Sequence, residues 1–258
     1  MTALTARGLP GLPEVRAGGD LAALIATALA GERLRDGQVL AIAHKAVSKS
    51  EGAVVALKDV QPSTRAHELA ASAASAGAGG ERDPRAIQVV LDESQELLRA
   101  ERGVLICRTR HGFVCANAGV DASNAGEPDT LILLPRDPDA SARRIRAGLR
   151  ELTGASVGVL VTDSFGRAWR HGQLDVAIGI AGMRPLDDWR GRTDSTGLKL
   201  KATWLAVADA AAACADLARA KDSREPVVVL DGLERYVTDE DGPGAVELLR
   251  ALEEDLFR

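Results

Sequence analysis

The chain has 258 residues, 46% of them hydrophobic, which is enough to bury a core as one large domain or two small ones. Its net charge of −5 with both signs interspersed, and its 3% aromatic content, argue against a general nucleic-acid surface or a base-stacking platform. No apolar stretch reaches the roughly 18 residues of a membrane helix and no signal peptide is evident, so we expect a cytoplasmic protein with neither nucleic acid nor membrane as partner.

The first half of the chain mixes helical and strand-like patterns. Residues 1–18, rich in Gly and Pro, are expected to be extended or looped. Asp20 predicts the N-cap of the first helix, and Asp83-Pro84 predicts the start of another. The Gly-rich residues 77–80 are expected to end the helix before them. The predicted elements are helix 21–30, strand 38–43, helix 64–76, helix 84–99, and strands 104–108, 112–116 and 131–134.

The second half continues in the same way. The polar residues 184–196 are expected to form turns. Strands and helices follow each other without a strict βαβ period, so the fold class is α/β in the mixed α+β sense. The predicted elements are helix 139–152, strands 157–161 and 176–181, one helix or a helix pair over 201–221, strand 227–230 and a closing helix over 244–257.

The most informative segment follows the predicted strand 157–161. That strand ends in Asp163 and Ser164, and two cations, Arg167 and Arg170, come just beyond. A carboxylate and a hydroxyl at the carboxyl end of a buried strand, with arginines nearby, form a plausible site for a hard metal ion and a phosphate. The alternative is that the aspartate only caps a turn and the arginines form a surface pair.

Two further polar segments bear on the same hypothesis. The cluster at 117–124 contains Asp121, which also follows apolar residues, so the two aspartates suggest one shared oxygen-ligand site. Lys45 and Lys49 follow the strand 38–43 and could bind phosphate, or could belong to a solvated loop. The motifs GxxxxGK[ST], GxGxxG and HExxH are absent from the sequence. The three cysteines show no CxxC spacing, which is typical of free thiols in a reducing compartment.

Several segments, in order along the chain, resemble the coenzyme F420-0:L-glutamate ligase family, the gamma-glutamyl ligases of F420 biosynthesis. Each piece is weak alone, but the combination is highly specific and covers nearly the whole chain. The pieces are GLPEV at 11–15, AVSKSEG at 46–52, DPRAIQVVLDES at 83–94, NAGVDASN at 117–124, LLPRDPDASARRIRAGL at 133–149, TDSFGRAWRHGQ at 162–173 and VAIGIAG at 176–182.

The resemblance implies an enzyme that uses GTP and a pair of Mg²⁺ or Mn²⁺ ions to join L-glutamate to coenzyme F420-0, with one or more glutamates added and gamma linkages after the first. The reaction would pass through an acyl phosphate. The resemblance also implies an intertwined homodimer with the family fold. We expect residues 1–258 to form a single ligase domain without the C-terminal flavin-binding reductase-like domain of some relatives. A role for K⁺ stays open.

Site residues follow from the same resemblance. Asp121, Asp163 and Ser164 match metal-binding positions, and Arg167 and Arg170 lie in the same motif as Asp163. We assign the two arginines to phosphate or substrate carboxylate contacts, and count them with the two aspartates as catalytic candidates. The positions that match nucleotide contacts are Leu12, Pro13, Glu14, Val15, His44, Lys49 and Asn124.

The chain departs from the family pattern at three positions. His44 stands where a small hydroxyl residue usually precedes the lysine, which puts one nucleotide contact in doubt. Trp204 and Ala210 replace residues that are commonly acidic. Two alternatives therefore stay open: a paralogous ligase that joins an amino acid to another acceptor, and a non-catalytic relative that binds nucleotide or an F420 precursor. The residues alone do not separate GTP from ATP.

Overall fold

The computed structural model describes residues 3–75, 82–220 and 222–255, and within them the chain is a mixed α/β protein, as the sequence predicts. The helices are α1 (Leu21–Ala28), α2 (His44–Ser50), α3 (Thr64–Ser75), α4 (Pro84–Asp92), α5 (Pro138–Thr153) and α6 (Val207–Ala218). The strands are β1 (Thr5–Gly8), β2 (Val39–Ala43), β3 (Val54–Ala56), β4 (Ser94–Glu101), β5 (Val104–Thr109), β6 (Val114–Ala116), β7 (Thr130–Ile132), β8 (Gly158–Arg167), β9 (Arg170–Ala181), β10 (Leu186–Asp188), β11 (Trp204–Ala206) and β12 (Val227–Asp231).

A five-stranded sheet in the order β1-β12-β2-β8-β9 forms the centre. Strands β2 and β8 run parallel and the other neighbours antiparallel. Helices α1 and α5 cover one face of this sheet and α6 covers the other. Side chains alternate across a strand, so Val159 and Val161 of β8 enter the core under α1 and α5, whereas Leu160 enters the core under α6.

A second layer of structure carries smaller sheets. Strands β4, β5 and β6 form an antiparallel sheet that packs against α3 and α4. Strands β3 and β7 form a two-stranded sheet, and so do β10 and β11. The segment 186–206, from β10 to β11, forms an exposed arm, in which Arg190 lies over the Trp204 ring at 3.9 Å.

The helix starts predicted at Asp20 and Asp83 are confirmed, and α5 begins at Pro138, one residue before the predicted start. Asp20 accepts a hydrogen bond from the Ala23 N–H at the start of α1. Asp83 caps α4 with Pro84 at its first position. At the start of α5, Asp137 accepts the Ala140 N–H. Each carboxylate satisfies an N–H that the first helical turn leaves without a partner.

Two predicted helices are too long, one at its C-terminal end and the other at its N-terminal end. The helix expected over 84–99 ends at Asp92, because residues 94–101 instead pair with β5 as strand β4. The helix expected over 201–221 begins only at Val207, because residues 204–206 pair with β10. In both cases pairing with another strand outweighs helix propensity.

The closing helix expected over 244–257 is also wrong. The chain there forms two 3₁₀ turns, Ala245–Leu248 and Leu252–Glu254. The Ala245 N–H donates to Asp139 at the start of α5, which fixes the segment in this turn. Within residues 3–18, expected to be extended or looped, Thr5–Gly8 forms strand β1. The parts of the expectations that concern 1–2, 76–80, 221 and 256–258 lie outside the described residues.

In the part of the chain that the structure describes, no helix is both long and apolar enough to span a bilayer.

Candidate active site

The start of α2 brings the two candidate aspartates together. His44 Nε2 lies 3.3 Å from Asp163 Oδ1, and the neighbouring Lys45 Nζ donates to Asp121 Oδ2 at 2.6 Å. This meeting follows from topology, since the parallel strands β2 and β8 end at the same edge of the sheet, with Ala43 opposite Thr162. The carboxyl end of neighbouring parallel strands is where ligand sites of α/β proteins form.

The Asp121 carboxylate is held in a defined position. Its backbone exchanges two hydrogen bonds with Ile132, and its side chain accepts the Ser123 N–H at 2.7 Å and the Ser123 Oγ–H at 3.0 Å. Burial by itself raises the pKa of Asp121, but the hydrogen bonds from Lys45 and Ser123 outweigh it and keep that pKa below its usual value. The carboxyl is therefore ionised at neutral pH and suits a cation.

Asp163 is more buried than Asp121, since 13% of its side chain is exposed. Burial, with smaller contributions from the Asp163 and Cys107 side chains, raises the pKa of the neighbouring Cys115 thiol to about 12. Cys115 is therefore a neutral thiol at physiological pH, and not the thiolate that binds metal or attacks as a nucleophile.

Lys49 continues the polar face of α2. It lies one turn after Lys45, and its Nζ donates to Glu14 Oε1 at 2.5 Å. The Gly18 N–H donates to the Ser50 carbonyl, which fastens the N-terminal segment to the same helix. In the described structure, the N–H groups of residues 12, 14 and 15 make no backbone hydrogen bond. The predicted nucleotide-binding segment thus lies against α2, whose first two residues contact the two aspartates.

Ser164 points to the opposite face of β8 from Asp163. Its Oγ–H donates to Asp175 Oδ1 at 2.6 Å, and the Thr162 Oγ–H donates to Asp175 Oδ2 at 2.8 Å. Arg219 at the end of α6 forms an ion pair with Asp175, and 3% of the Asp175 side chain and 10% of the Arg219 side chain are exposed. The Ser164 hydroxyl is therefore committed to a buried network under α6 rather than to the Asp163 side.

This buried network reaches the edge of the sheet that carries the site. Arg219 also donates to the Pro226 carbonyl, which accepts the N–H of Ala43, the residue just before His44. The sequence reasoning missed Asp175 and Arg219. The sequence feature that could have indicated Asp175 is its position directly before the apolar run 176–181.

Two predicted residues lie apart from Asp163 along the β8–β9 hairpin. Arg167 and Arg170 face each other at the exposed tip of the β8–β9 hairpin, about 13 Å along the strand from Asp163. Arg167 donates to the His171 carbonyl. Asn124 lies in the exposed loop after Asp121, with a φ of +59°. A single chain gathers Asp121, Asp163, His44 and Lys45, and it does not bring the two arginines to them.

The donor set fits a metal of the magnesium type. Among the described residues, no group of three or more His, Cys, Asp and Glu side chains could enclose an ion. Mg²⁺ commonly takes one or two protein carboxylates and completes its shell with water and substrate phosphate, whereas structural zinc needs four protein ligands. The carboxylates of Asp121 and Asp163 fit the first description, and His44 Nε2 lies buried beside Asp163 without a hydrogen-bond partner.

The fold and site together define a class: a mixed α/β protein whose sheet edge carries paired carboxylates and lysines. Comparisons place the chain within that class. The model of the family described as F420-0:Gamma-glutamyl ligase matches residues 11–232, and the chain belongs to this family.

Relatives cover almost the full length. The coenzyme F420:L-glutamate ligase of Methanothermobacter thermautotrophicus is 41% identical over 254 residues, 97% of each chain. That of Methanopyrus kandleri is 43% identical over 247 residues, 95% of this chain and 94% of its own. The Halobacterium salinarum ligase is 44% identical over 251 residues, 96% of this chain and 93% of its own.

Proposed function

We propose that the chain adds L-glutamate to coenzyme F420-0 in a GTP-dependent reaction, with further glutamates gamma-linked. Membership of the family and the names of the relatives support the acceptor and the amino acid. The observation that carries the site is the start of α2, where adjacent residues His44 and Lys45 contact Asp163 and Asp121. Two carboxylates and two lysines at one edge are the groups that a metal-nucleotide substrate requires.

The acceptor carboxylate is a poor electrophile, so it must be activated before an amine can attack it. An oxygen of the acceptor carboxylate would attack the γ-phosphorus of GTP, forming an acyl phosphate while the bond to GDP breaks. The glutamate amine would then attack the acyl carbon, lose a proton and expel inorganic phosphate. When bound, a divalent ion would offset the negative charge of the phosphates.

The chain's own residues would bind and orient the reactants. Asp121 and Asp163 would hold the divalent metal. Lys45 and Lys49 would offer positive charge to phosphate oxygens, each exchanging its present carboxylate partner for the nucleotide. The N–H groups of residues 12, 14 and 15 would donate to the nucleotide from the adjoining segment. Arg167 and Arg170 would reach phosphate or substrate carboxylate from the hairpin tip.

Mass spectrometry of the reaction products tests this proposal. F420-0 is incubated with the protein, L-glutamate, GTP and Mn²⁺ or Mg²⁺, and GDP is measured in parallel. We expect acceptor that is heavier by one or more glutamyl units, with one GDP released per unit. Unchanged F420-0, while a known F420-0 ligase is active in the same buffer, would contradict the proposed acceptor. Replacing GTP by ATP tests the nucleotide.

A second candidate is a relative that binds nucleotide or precursor without turnover, or that uses another acceptor. The observation that favours it is Trp204, which lies under Arg190 and occupies a position that is commonly acidic in the family. GTP and metal binding without GDP release would favour the binding-only role. GDP release with a different carboxylate in a substrate screen would favour another acceptor.

We also propose a cytoplasmic homodimer. Large apolar side chains exposed on the arm 186–206, among them Leu198 at 68% and Trp204 at 53%, support an interface there. Three free cysteines, Cys107, Cys115 and Cys214, support a reducing compartment. Light scattering after size-exclusion chromatography tests the assembly, and a monomeric mass at micromolar concentration would contradict it.

A further inference from the structure

A buried histidine nitrogen faces a candidate metal ligand. The His44 residue is 2% exposed, and its Nε2 has no hydrogen-bond partner although Asp163 Oδ1 lies 3.3 Å away. The contact meets the distance of an ion pair but lacks the alignment of a hydrogen bond. A buried polar atom without a partner costs free energy, so its position beside a carboxylate calls for a ligand that both atoms can share.

The other ring nitrogen is held by the same helix. His44 Nδ1 lies 3.4 Å from the Oγ of Ser48, which is fully buried one turn further along α2. If Nδ1–H faces the serine oxygen, Nε2 carries the lone pair toward Asp163. Metal-bound histidines usually have this arrangement, in which a partner on one nitrogen fixes the ring and leaves the other nitrogen for the metal.

We propose that His44 Nε2 is a metal ligand together with Asp163. Two neighbouring ligands of an octahedral ion at about 2.1 Å are about 3 Å apart, close to the 3.3 Å observed. The inference deepens the proposed function, since it concerns the metal of that reaction. It changes the role expected for His44 from nucleotide contact to metal ligand.

The consequence is a metal preference. Mg²⁺ favours an all-oxygen shell, whereas imidazole nitrogen suits transition metals. A site with one imidazole and carboxylates should therefore prefer Mn²⁺ or Co²⁺ to Mg²⁺. The other histidines differ: His67 is exposed and His171 lies at the exposed hairpin tip. His111 Nδ1 is also buried without a hydrogen-bond partner, but among the described ion pairs none joins His111 to a carboxylate, whereas His44 faces Asp163.

Pulsed electron paramagnetic resonance of the protein with Mn²⁺ alone tests the proposal. We expect ¹⁴N modulation from a directly bound imidazole in the wild type. His44→Ser, which places a small hydroxyl at this position, should lose the modulation, and the exposed control His67→Gln should keep it. Calorimetry should show Mn²⁺ binding weakened by about tenfold or more in His44→Ser, with Mg²⁺ binding changed little, since loss of even an outer-shell partner costs about 10-fold.

Two further variants keep the test decisive. His44→Gln retains a polar side chain of similar length and should also lose the ¹⁴N signal if His44→Ser folds poorly. Ser48→Ala should keep the signal with weaker Mn²⁺ binding. Bound Mn²⁺ without ¹⁴N modulation in the wild type, or modulation unchanged in His44→Gln, would overturn the proposal. Because no substrate is present, absence of ligase activity would count against the proposed function alone.

Discussion

At the residue scale, the two aspartates are expected to decide activity. Asp121→Asn and Asp163→Asn keep size and shape but remove a charge that a divalent metal needs. We expect turnover to fall about 100-fold or more, because a metal contributes several kcal/mol of charge stabilisation. GDP release at saturating GTP is the measurement. Asp188→Asn, at an exposed ion pair on the arm, is the matched control and should keep activity. Wild-type rates in both site variants would contradict the metal assignment.

The buried ion pair under the site makes a different prediction. Asp175→Asn leaves the Arg219 charge buried without its counter-ion, and we expect a loss of about 3–5 kcal/mol in the free energy of unfolding. Urea unfolding followed by circular dichroism measures it. Glu32→Gln, which removes the partner of Arg7 in an exposed pair, should change the midpoint little. Equal midpoints for the two variants would show that the buried pair contributes nothing.

The sequence predicted part of how the candidate residues are placed, and not the directions of their side chains. Asp121 and Asp163 could be expected to meet because each follows an apolar run, and they do contact adjacent residues of α2. The sequence could not indicate to which face of β8 the Ser164 side chain points, because that depends on Asp175, eleven residues away on the neighbouring strand β9. His44 beside Asp163 was equally hidden, because the pairing of β2 with β8 joins segments more than a hundred residues apart.

At the element scale, the contact between α1 and α5 depends on one glycine. A Cβ at Gly148 would lie 2.6 Å from the Ala22 Cβ, a short and rigid neighbour. Gly148→Ala should therefore destabilise the protein by about 1–3 kcal/mol, although alanine favours helices. Chemical denaturation measures the change. The double variant Gly148→Ala with Ala22→Gly should recover part of the loss, and no recovery would place the strain elsewhere.

Element starts were easier to predict than element ends. Asp20, Asp83 and Asp137 act through neighbours two or three residues away, so local sequence is sufficient to locate the helices they cap. The helix ends that failed are set by partners outside the helix itself. Residues 94–101 join β5, the next strand along the chain, and the segment after 244 is held by Asp139, more than a hundred residues earlier.

At the scale of the whole molecule, His111 predicts an acid-sensitive stability. Burial, and then the charge of Arg110, lower the pKa of His111 below its usual 6.5. The unfolded chain therefore binds more protons than the folded one below about pH 6.5, and stability falls as pH decreases through that value toward the folded pKa. His111→Gln should show a shallower loss in the free energy of unfolding between about pH 7.5 and 5. The exposed control His67→Gln should keep the wild-type slope, and parallel curves for all three proteins would contradict the prediction.

Composition predicted the class of the molecule, and periodicity predicted most of its elements, but not the order of its sheets. The central sheet places β12 between β1 and β2, so its pairings span most of the chain. Which strands pair depends on which apolar faces can be buried against each other. A single sequence states which residues are apolar, not which distant run will cover them.

The hairpin tip and the arm together carry every tryptophan of the chain: Trp169, Trp189 and Trp204. Trp169 is 74% exposed, Trp204 is 53% exposed, and Trp189 is half-buried with Arg192 over its ring. The tryptophan fluorescence of the native protein therefore comes from its periphery. Where no partner subunit covers the tip and the arm, this emission should be red-shifted and open to iodide quenching before any unfolding. It therefore reports what covers the tip and the arm, while the core around α5 and α6 unfolds without a tryptophan of its own.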